Sequence, residues 1–314
     1  DVLGMAVDAF LVVEWRPGEH PLEVVRGGTL ADAGWTMEED LVVQVMREVS
    51  ESKALIDLGI RGIEEGAKIG LSGHLHLRSE IPVGRGLGSS AAARVAGSVL
   101  RRLLTGVEVT RSEIIQEAAE GEGHPDNAAP AVLGGLVAAT RDPRGRVTAV
   151  PLPLSLRPGW VFAMPGVPLS TRAAREALPG SVTHAAATRN AGRLGLLIPA
   201  LAAGDADLLA LAMEDELHVP HRIPLIPGAE SALAAARTAG AWAATLSGAG
   251  SGLMAVTAQG EEETVGRAMA RAFDADPRAR GGSYRVLRPW LPGVQWGSGP
   301  LRPPGPERFA TSRA

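Results

Sequence analysis

Pro82-Val83-Gly84-Arg85-Gly86-Leu87-Gly88-Ser89-Ser90-Ala91-Ala92 is the stretch from which the fold is read. Before it, Ile69, Leu71, Leu75 and Leu77 alternate with Ser72, His74, His76 and Arg78, which predicts a strand over 67–78. After it, Ala92, Val95, Ala96, Val99, Leu100, Leu103 and Leu104 recur at helical spacing, with Gly106 as the C-cap. A glycine-rich turn from strand to helix leaves backbone N–H groups free at the positive end of the helix dipole, which makes an anion site. Glycines let the backbone approach a phosphate with no Cβ in the way. Ser89 and Ser90 can cap the helix, bond phosphate oxygens or ligate Mg2+ through a hydroxyl. The string has no Gly-Lys-Ser/Thr, and serines stand where a dinucleotide-binding turn needs its last glycine, so neither of those two phosphate loops applies.

Working outward, residues 5–15 (MAVDAFLVVEW) alternate and predict a strand. Thr36-x-x-Glu39 forms a capping box before Leu41, Val42, Val45, Met46 and Val49, and Thr110-x-x-Glu113 caps a further helix. Residues 123–130 (GHPDNAAP) lead by a turn into a strand within 131–140. Residues 151–159 (PLPLSLRPG) are the best domain boundary. Beyond them, 160–166 reads as a strand, 184–203, 205–215, 229–239 and 261–273 as helices, 242–257 as strand, glycine turn and strand, and 283–290 as a last strand. Two α+β domains are expected, at 1–150 and 151–296. The Pro-, Gly- and Arg-rich residues 297–314 are expected to be a disordered tail.

The chain of 314 residues is 45% hydrophobic, enough for two cores, and its net charge of −4 gives nothing to attract a phosphate backbone, so nucleic acid is excluded as a partner. No apolar run approaches the ~20 residues of a membrane span. The absence of cysteine removes disulfides and thiolate metal sites. Residues 1–10 show neither a basic leader region nor a cleavage site, which makes the cytoplasm the expected compartment. Apolar patterning is already running at Val2 and Leu3, so the natural start is expected to lie upstream of Asp1.

The string 82–92 matches the P-x-x-x-G-L-G-S-S-A-A phosphate motif of the GHMP kinases residue for residue. Within that family the chain resembles the homoserine kinases. Glu122-Gly123-His124-Pro125-Asp126-Asn127-Ala128-Ala129-Pro130 is similar to their E-G-H-P-D-N-x-A-P, and Ser170-Thr171-Arg172-Ala173-Ala174-Arg175 to their S-T-x-x-A-R. Pro220-His221-Arg222 with Leu225-Ile226-Pro227 is similar to their P-x-R…L-I-P, and Ser247-Gly248-Ala249-Gly250 to the third GHMP motif. Asp1-Val2-Leu3-Gly4 looks like the end of the first motif, whose earlier part, S-A-N-L-G-x-G-F, is missing; Gly250-Ser251-Gly252 replaces the usual G-P-[ST].

The resemblance implies a two-domain GHMP kinase fold, ribosomal-protein-S5-like at the N-terminus and ferredoxin-like at the C-terminus. It implies ATP-dependent phosphorylation of the side-chain hydroxyl of L-homoserine, with Mg2+, in a homodimer of threonine biosynthesis. A GHMP kinase for another small alcohol such as mevalonate, or an inactive nucleotide-binding homologue, are the alternatives. Pro82, Gly84, Arg85, Gly86, Leu87, Gly88, Ser89, Ser90, Ala91, Ser247, Gly248 and Gly250 would bind ATP. Ser90 and Glu122 would hold the metal, with Glu117 and Glu120 competing for the acidic place. Arg175 and Arg222 are the candidates for the substrate carboxylate, Asp1 and Asn127 for its ammonium and hydroxyl, and His124 contributes to the same recognition. Asn127, Arg175 and Thr171 are the catalytic candidates. Asp126 is placed nearby with no proton-transfer role, since the homoserine kinases rely on orientation and charge stabilisation. His74 and His76 lie two apart on a strand with no evident third ligand and read as a solvated face.

Overall fold

The computed structural model describes residues 3–47, 72–154 and 158–299. Asp1, Val49, Ile69, Leu71 and residues 300–314 of the expected tail lie outside the described residues. The chain forms two compact units, Asp1–Ile81 with Ser90–Val150 and Leu291–Ala314, and Pro82–Ser89 with Pro151–Trp290. This differs from a single division after residue 150 in two places: the phosphate loop groups with the second unit, and the chain from Leu291 groups with the first. There Val294 N–H donates to Val132 O and Arg111 to Pro292 O, while Val294 and Trp296 pack on an apolar cluster containing Val95, Ile114 and Val132.

The first unit holds two three-stranded sheets. One orders β1 (Leu3–Met5), β5 (Leu136–Arg141) and β6 (Val147–Leu152); the other orders β2 (Leu11–Pro21), β4 (Ser72–Ser79) and β3 (Glu23–Gly28). The single strand expected over 5–15 is therefore broken. Met5 pairs with Leu136 and Leu11 with Ser79, so the chain changes sheets between them. In β4, Leu75 and Leu77 are buried against Val42, Val43 and Met46 of helix α1 (Leu41–Arg47), as their alternation requires. His74 sits on the opposite face from these leucines, with Nδ1 3.3 Å from Glu23 Oε2.

The Thr36–Glu39 box forms: Thr36 N–H donates to Glu39 Oε2 and Glu39 N–H to Thr36 Oγ1. It closes the turn ahead of the helix, and the cap itself is Asp40, whose Oδ1 accepts from Val42 and Val43 N–H while Arg26 holds Oδ2 at 2.9 Å. The second box does not form. Thr110 Oγ1 donates to the Glu113 carboxylate and makes no backbone cap bond at α3 (Arg111–Glu122).

Helix α2 (Ser89–Thr105) departs from the expected stripe at its C-terminal end. Leu103 and Leu104 are 47% and 37% exposed, whereas Arg101 and Arg102 are 8% and 6% exposed. Charge pairing reverses the apolar pattern: Glu117 Oε2 accepts from Arg101 at 2.6 Å and Glu117 Oε1 from Arg102 at 2.5 Å. Breaking a fully buried pair costs roughly 3–5 kcal/mol. Glu117 keeps an edge in water, so Glu117→Gln is expected to destabilise the chain by about 2 kcal/mol, read as a lower urea midpoint at unchanged m-value. An unchanged midpoint would show that the arginines find other partners.

The second unit is a four-stranded antiparallel sheet in the order β10 (Gly282–Leu287), β7 (Gly159–Pro165), β9 (Leu253–Thr257), β8 (Ala243–Leu246). Val161, Ala163, Ala244, Leu246, Leu253 and Ala255 of this sheet pack against α9 (Ala229–Thr238) and α10 (Glu262–Asp274), closing a core with Met269 and Phe273 at its centre. Helices α5 (Thr171–Glu176), α6 (His184–Ala203), α7 (Ala206–Ala212) and α8 (Val219–Arg222) complete the unit.

Candidate functional site

In the second unit the phosphate loop and the glycine turn after β8 are laced into one body. Ser247 Oγ donates to Gly86 O at 2.9 Å and Gly252 N–H to Arg85 O at 2.9 Å. The turn closes on itself through Gly250 N–H to Ser247 O and Ser247 N–H to Gly252 O. Gly86 has φ +79°, and a Cβ there would lie 2.0 Å from Ser247 O, so the close approach requires glycine. Helix α2 begins at Ser89, directly after this loop, which leaves its first N–H groups without intrahelical partners.

Arg85, expected among the nucleotide-binding residues, has its side chain engaged within the chain. Its guanidinium donates to Pro165 O at 2.8 Å, Gly166 O at 2.7 Å and Ser251 Oγ at 3.2 Å, and burial lowers its pKa. It is a strut that fastens the loop to the end of β7. Ser251, standing where the family pattern has proline, is buried and donates to Val167 O at 2.8 Å.

In the first unit Ser90 Oγ donates to Glu122 Oε2 at 2.7 Å, and Arg94 Nε to Glu122 Oε1 at 2.9 Å. The three acids weighed for the metal differ in their engagement. Glu117 is clasped by Arg101 and Arg102, Glu120 accepts from Gln116, and only Glu122 adjoins the phosphate-motif serine. Among the described residues no three His, Cys, Asp or Glu form a metal cluster. The hydroxyl and carboxylate oxygens of Ser90 and Glu122 suit a hard cation that takes its other ligands from phosphate and water, as Mg2+ does.

His124 Nδ1 lies 2.5 Å from Asp126 Oδ1. Burial opposes the charge on Asp126, yet the His124 hydrogen bond and charge hold its carboxyl below its ordinary value. That direction is opposite to the one a general base near neutrality needs. Asn127 stands at the N-terminal boundary of α4 (Ala128–Leu133) and makes no capping bond with its side chain. Gly4 packs on this segment; a Cβ there would fall 2.1 Å from Asp126 O.

The second unit also carries the cationic candidates. Ser170 Oγ caps α5 by accepting from Ala173 N–H at 3.1 Å, and Thr171 and Arg175 of that helix are exposed. Arg222, at the end of α8, donates from Nε to Ala174 O at 3.1 Å and from one Nη to Gly248 O at 3.2 Å. The structure thus brings Arg222 onto both the S-T-x-x-A-R helix and the glycine turn. Sequence reading missed Asp215 and Asn190, which brace the approach to α8. The only local signal was an aspartate shortly before a Pro-containing turn.

These features agree with comparison to known proteins. The model of the GHMP kinases N terminal domain matches residues 40–135, and that of the GHMP kinases C terminal matches residues 197–275. The chain is 39% identical over 278 residues to a homoserine kinase of Moorella thermoacetica, covering 87% of each protein. It is 37% identical over 270 residues to a homoserine kinase of Thermus thermophilus, covering 86% of each. Among solved structures, homoserine kinase from Cytophaga hutchinsonii aligns with TM-score 0.72 and 28% identity over 93% of this chain and 90% of that one. On sequence, fold and motif geometry together, the chain belongs to the GHMP kinase family.

Proposed function

We propose that this kinase transfers the γ-phosphoryl group of ATP to the side-chain hydroxyl of L-homoserine, giving O-phospho-L-homoserine for threonine biosynthesis. The observation that carries the reading is Arg222, a cation bonded to the backbone of both the S-T-x-x-A-R helix and the glycine turn that braces the phosphate loop. An amino-acid substrate brings a carboxylate that a guanidinium can receive through forked N–H donors. Arg175 is assigned to the same carboxylate, Asp1 and Asn127 to the ammonium and hydroxyl, and His124 to the shape of the same pocket. Thr171 is assigned, with Asn127 and Arg175, to the catalytic set.

Kinases of this family use ATP, and Pro82 and residues 84–91 with Ser247, Gly248 and Gly250 are assigned to bind it. Ser90 and Glu122 would hold Mg2+, which when bound would supply neutralisation of charge on the transferring phosphoryl group. The chain's own residues then act by orientation. Asp126 remains a carboxylate bonded to His124, and no side chain is assigned to remove the hydroxyl proton. A homodimer in the cytoplasm is the expected form; no helix among the described residues is long and apolar enough to cross a membrane.

The test is a coupled assay of ATP consumption against homoserine, mevalonate, galactose and threonine. Turnover of homoserine well above the others is expected. Turnover of mevalonate but not homoserine would overturn the substrate assignment, and ATP binding without turnover of any would mark an inactive homologue.

A further inference from the structure

Helix α8 is one turn long, too short to hold its own shape, since nucleating a turn costs more than its first bond returns. Val219 packs against the core and Asp215 caps the start of the helix. Its Oδ1 accepts from three backbone N–H groups at the helix start, Leu217 at 3.1 Å, His218 at 2.5 Å and Val219 at 2.8 Å. Its Oδ2 accepts from Asn190 Nδ2 at 2.9 Å and lies 3.4 Å from His218 Nδ1. Burial alone would raise the Asp215 pKa, but these donors outweigh it and hold the carboxyl well below its ordinary value.

The brace continues into α6. Asn190 Oδ1 accepts from Glu216 N–H at 2.9 Å, Arg189 and Arg193 both clasp the Glu216 carboxylate, and Arg193 reaches Glu214. From Val219 the helix rises about 4.5 Å in three residues to Arg222. The Arg222 N–H closes the turn on His218 O at 3.0 Å, and the guanidinium then reaches Ala174 O and Gly248 O.

We infer that Asp215, braced by Asn190, is a positioning residue that sets the place of the Arg222 guanidinium. The inference rests on the assignment of Arg222 to the substrate carboxylate. Both Asp215 oxygens are engaged within the chain, so its influence on the substrate runs through Arg222. Relaxing the cap lets the one-turn helix shift, and a misplacement on the order of 1 Å costs roughly 100-fold in a positioned reaction.

The test measures KM for homoserine and for ATP, with kcat, in full-length Asp215→Ala, Asp215→Asn, Asn190→Ala, Arg222→Ala and the Asp215→Ala/Arg222→Ala double variant. Asp215→Ala is expected to raise the homoserine KM roughly 10- to 100-fold while leaving the ATP KM unchanged. Asp215→Asn, which keeps an oxygen for the backbone cap, should recover part of that loss. The double variant should be no worse than Arg222→Ala, because a residue acting through Arg222 has nothing left to position. A merely structural role would lower the active fraction, and thus kcat, with both KM values intact. If Asp215→Ala does not fold, Asn190→Ala reads the same effect. Arg222→Ala with an unchanged homoserine KM would overturn the substrate assignment and the inference with it. Arg222→Ala with a raised KM, beside unchanged KM in Asp215→Ala and Asn190→Ala or additive losses in the double variant, would overturn the inference alone.

Discussion

Gly86→Ala is expected to lower kcat/KM for ATP by roughly 100- to 1,000-fold in a chain that still folds. Two costs meet at this position. With φ at +79°, any L side chain pays about 1–2 kcal/mol of left-handed strain. The added methyl would also stand 2.0 Å from Ser247 O, a distance that real Cβ atoms essentially never show, and a tight 3.0 Å from Gly250 N. Neither neighbour is the movable end of a side chain. Both are backbone atoms of the turn whose Ser247 Oγ holds Gly86 O, so the loop and the turn must part. A shift on the order of 1 Å at the phosphates accounts for about 100-fold, and a wider parting of loop and turn accounts for the rest. Gly145 is the control, since it has φ +82° with open space around its Cβ position. Gly145→Ala bears the strain without the clash and should keep normal kinetics. Undiminished ATP affinity of Gly86→Ala by calorimetry would show that the phosphates bind elsewhere.

Much of this was legible because it is local. Leu75 and Leu77 alternate with polar residues and are buried, and the helical periods of the second half give α6, α9 and α10 to within a residue or two at each end. The phosphate loop was legible from its glycines and serines, whose conformational freedom and capping chemistry do not depend on distant partners. What failed depended on partners. A period of two says that residues 5–15 are extended, but not that Met5 and Leu11 belong to different sheets. Apolar spacing placed Leu103 and Leu104 inside α2, where Glu117 instead draws in Arg101 and Arg102. The contacts of the Arg85 guanidinium were likewise not legible, because they are carbonyls of Pro165 and Gly166, about 80 residues away in sequence. Asp215 gave no periodic signal at all, since its value lies in converging donors from Asn190 and three backbone amides.

Arg222→Ala and Arg175→Ala should each depress kcat/KM for homoserine far more than for ATP. Losing a charge-assisted pair with a bound carboxylate costs about 2–5 kcal/mol, or roughly 30-fold to several thousand-fold. Arg175 is an exposed residue of α5, and its variant is read in the homoserine kinetics. Arg222 bonds Ala174 O and Gly248 O, so its removal leaves two carbonyls without that donor and should lower the midpoint slightly as well. Arg222→Lys separates charge from geometry. Lysine restores the positive charge but offers one compact ammonium in place of a planar fork. It cannot span two carbonyls and a carboxylate in the directions the guanidinium does, so Arg222→Lys should recover little of the loss. Recovery of most activity by lysine would mean that Arg222 acts as a point charge. Wild-type kcat/KM for homoserine in both alanine variants would mean that the substrate carboxylate is held by other groups.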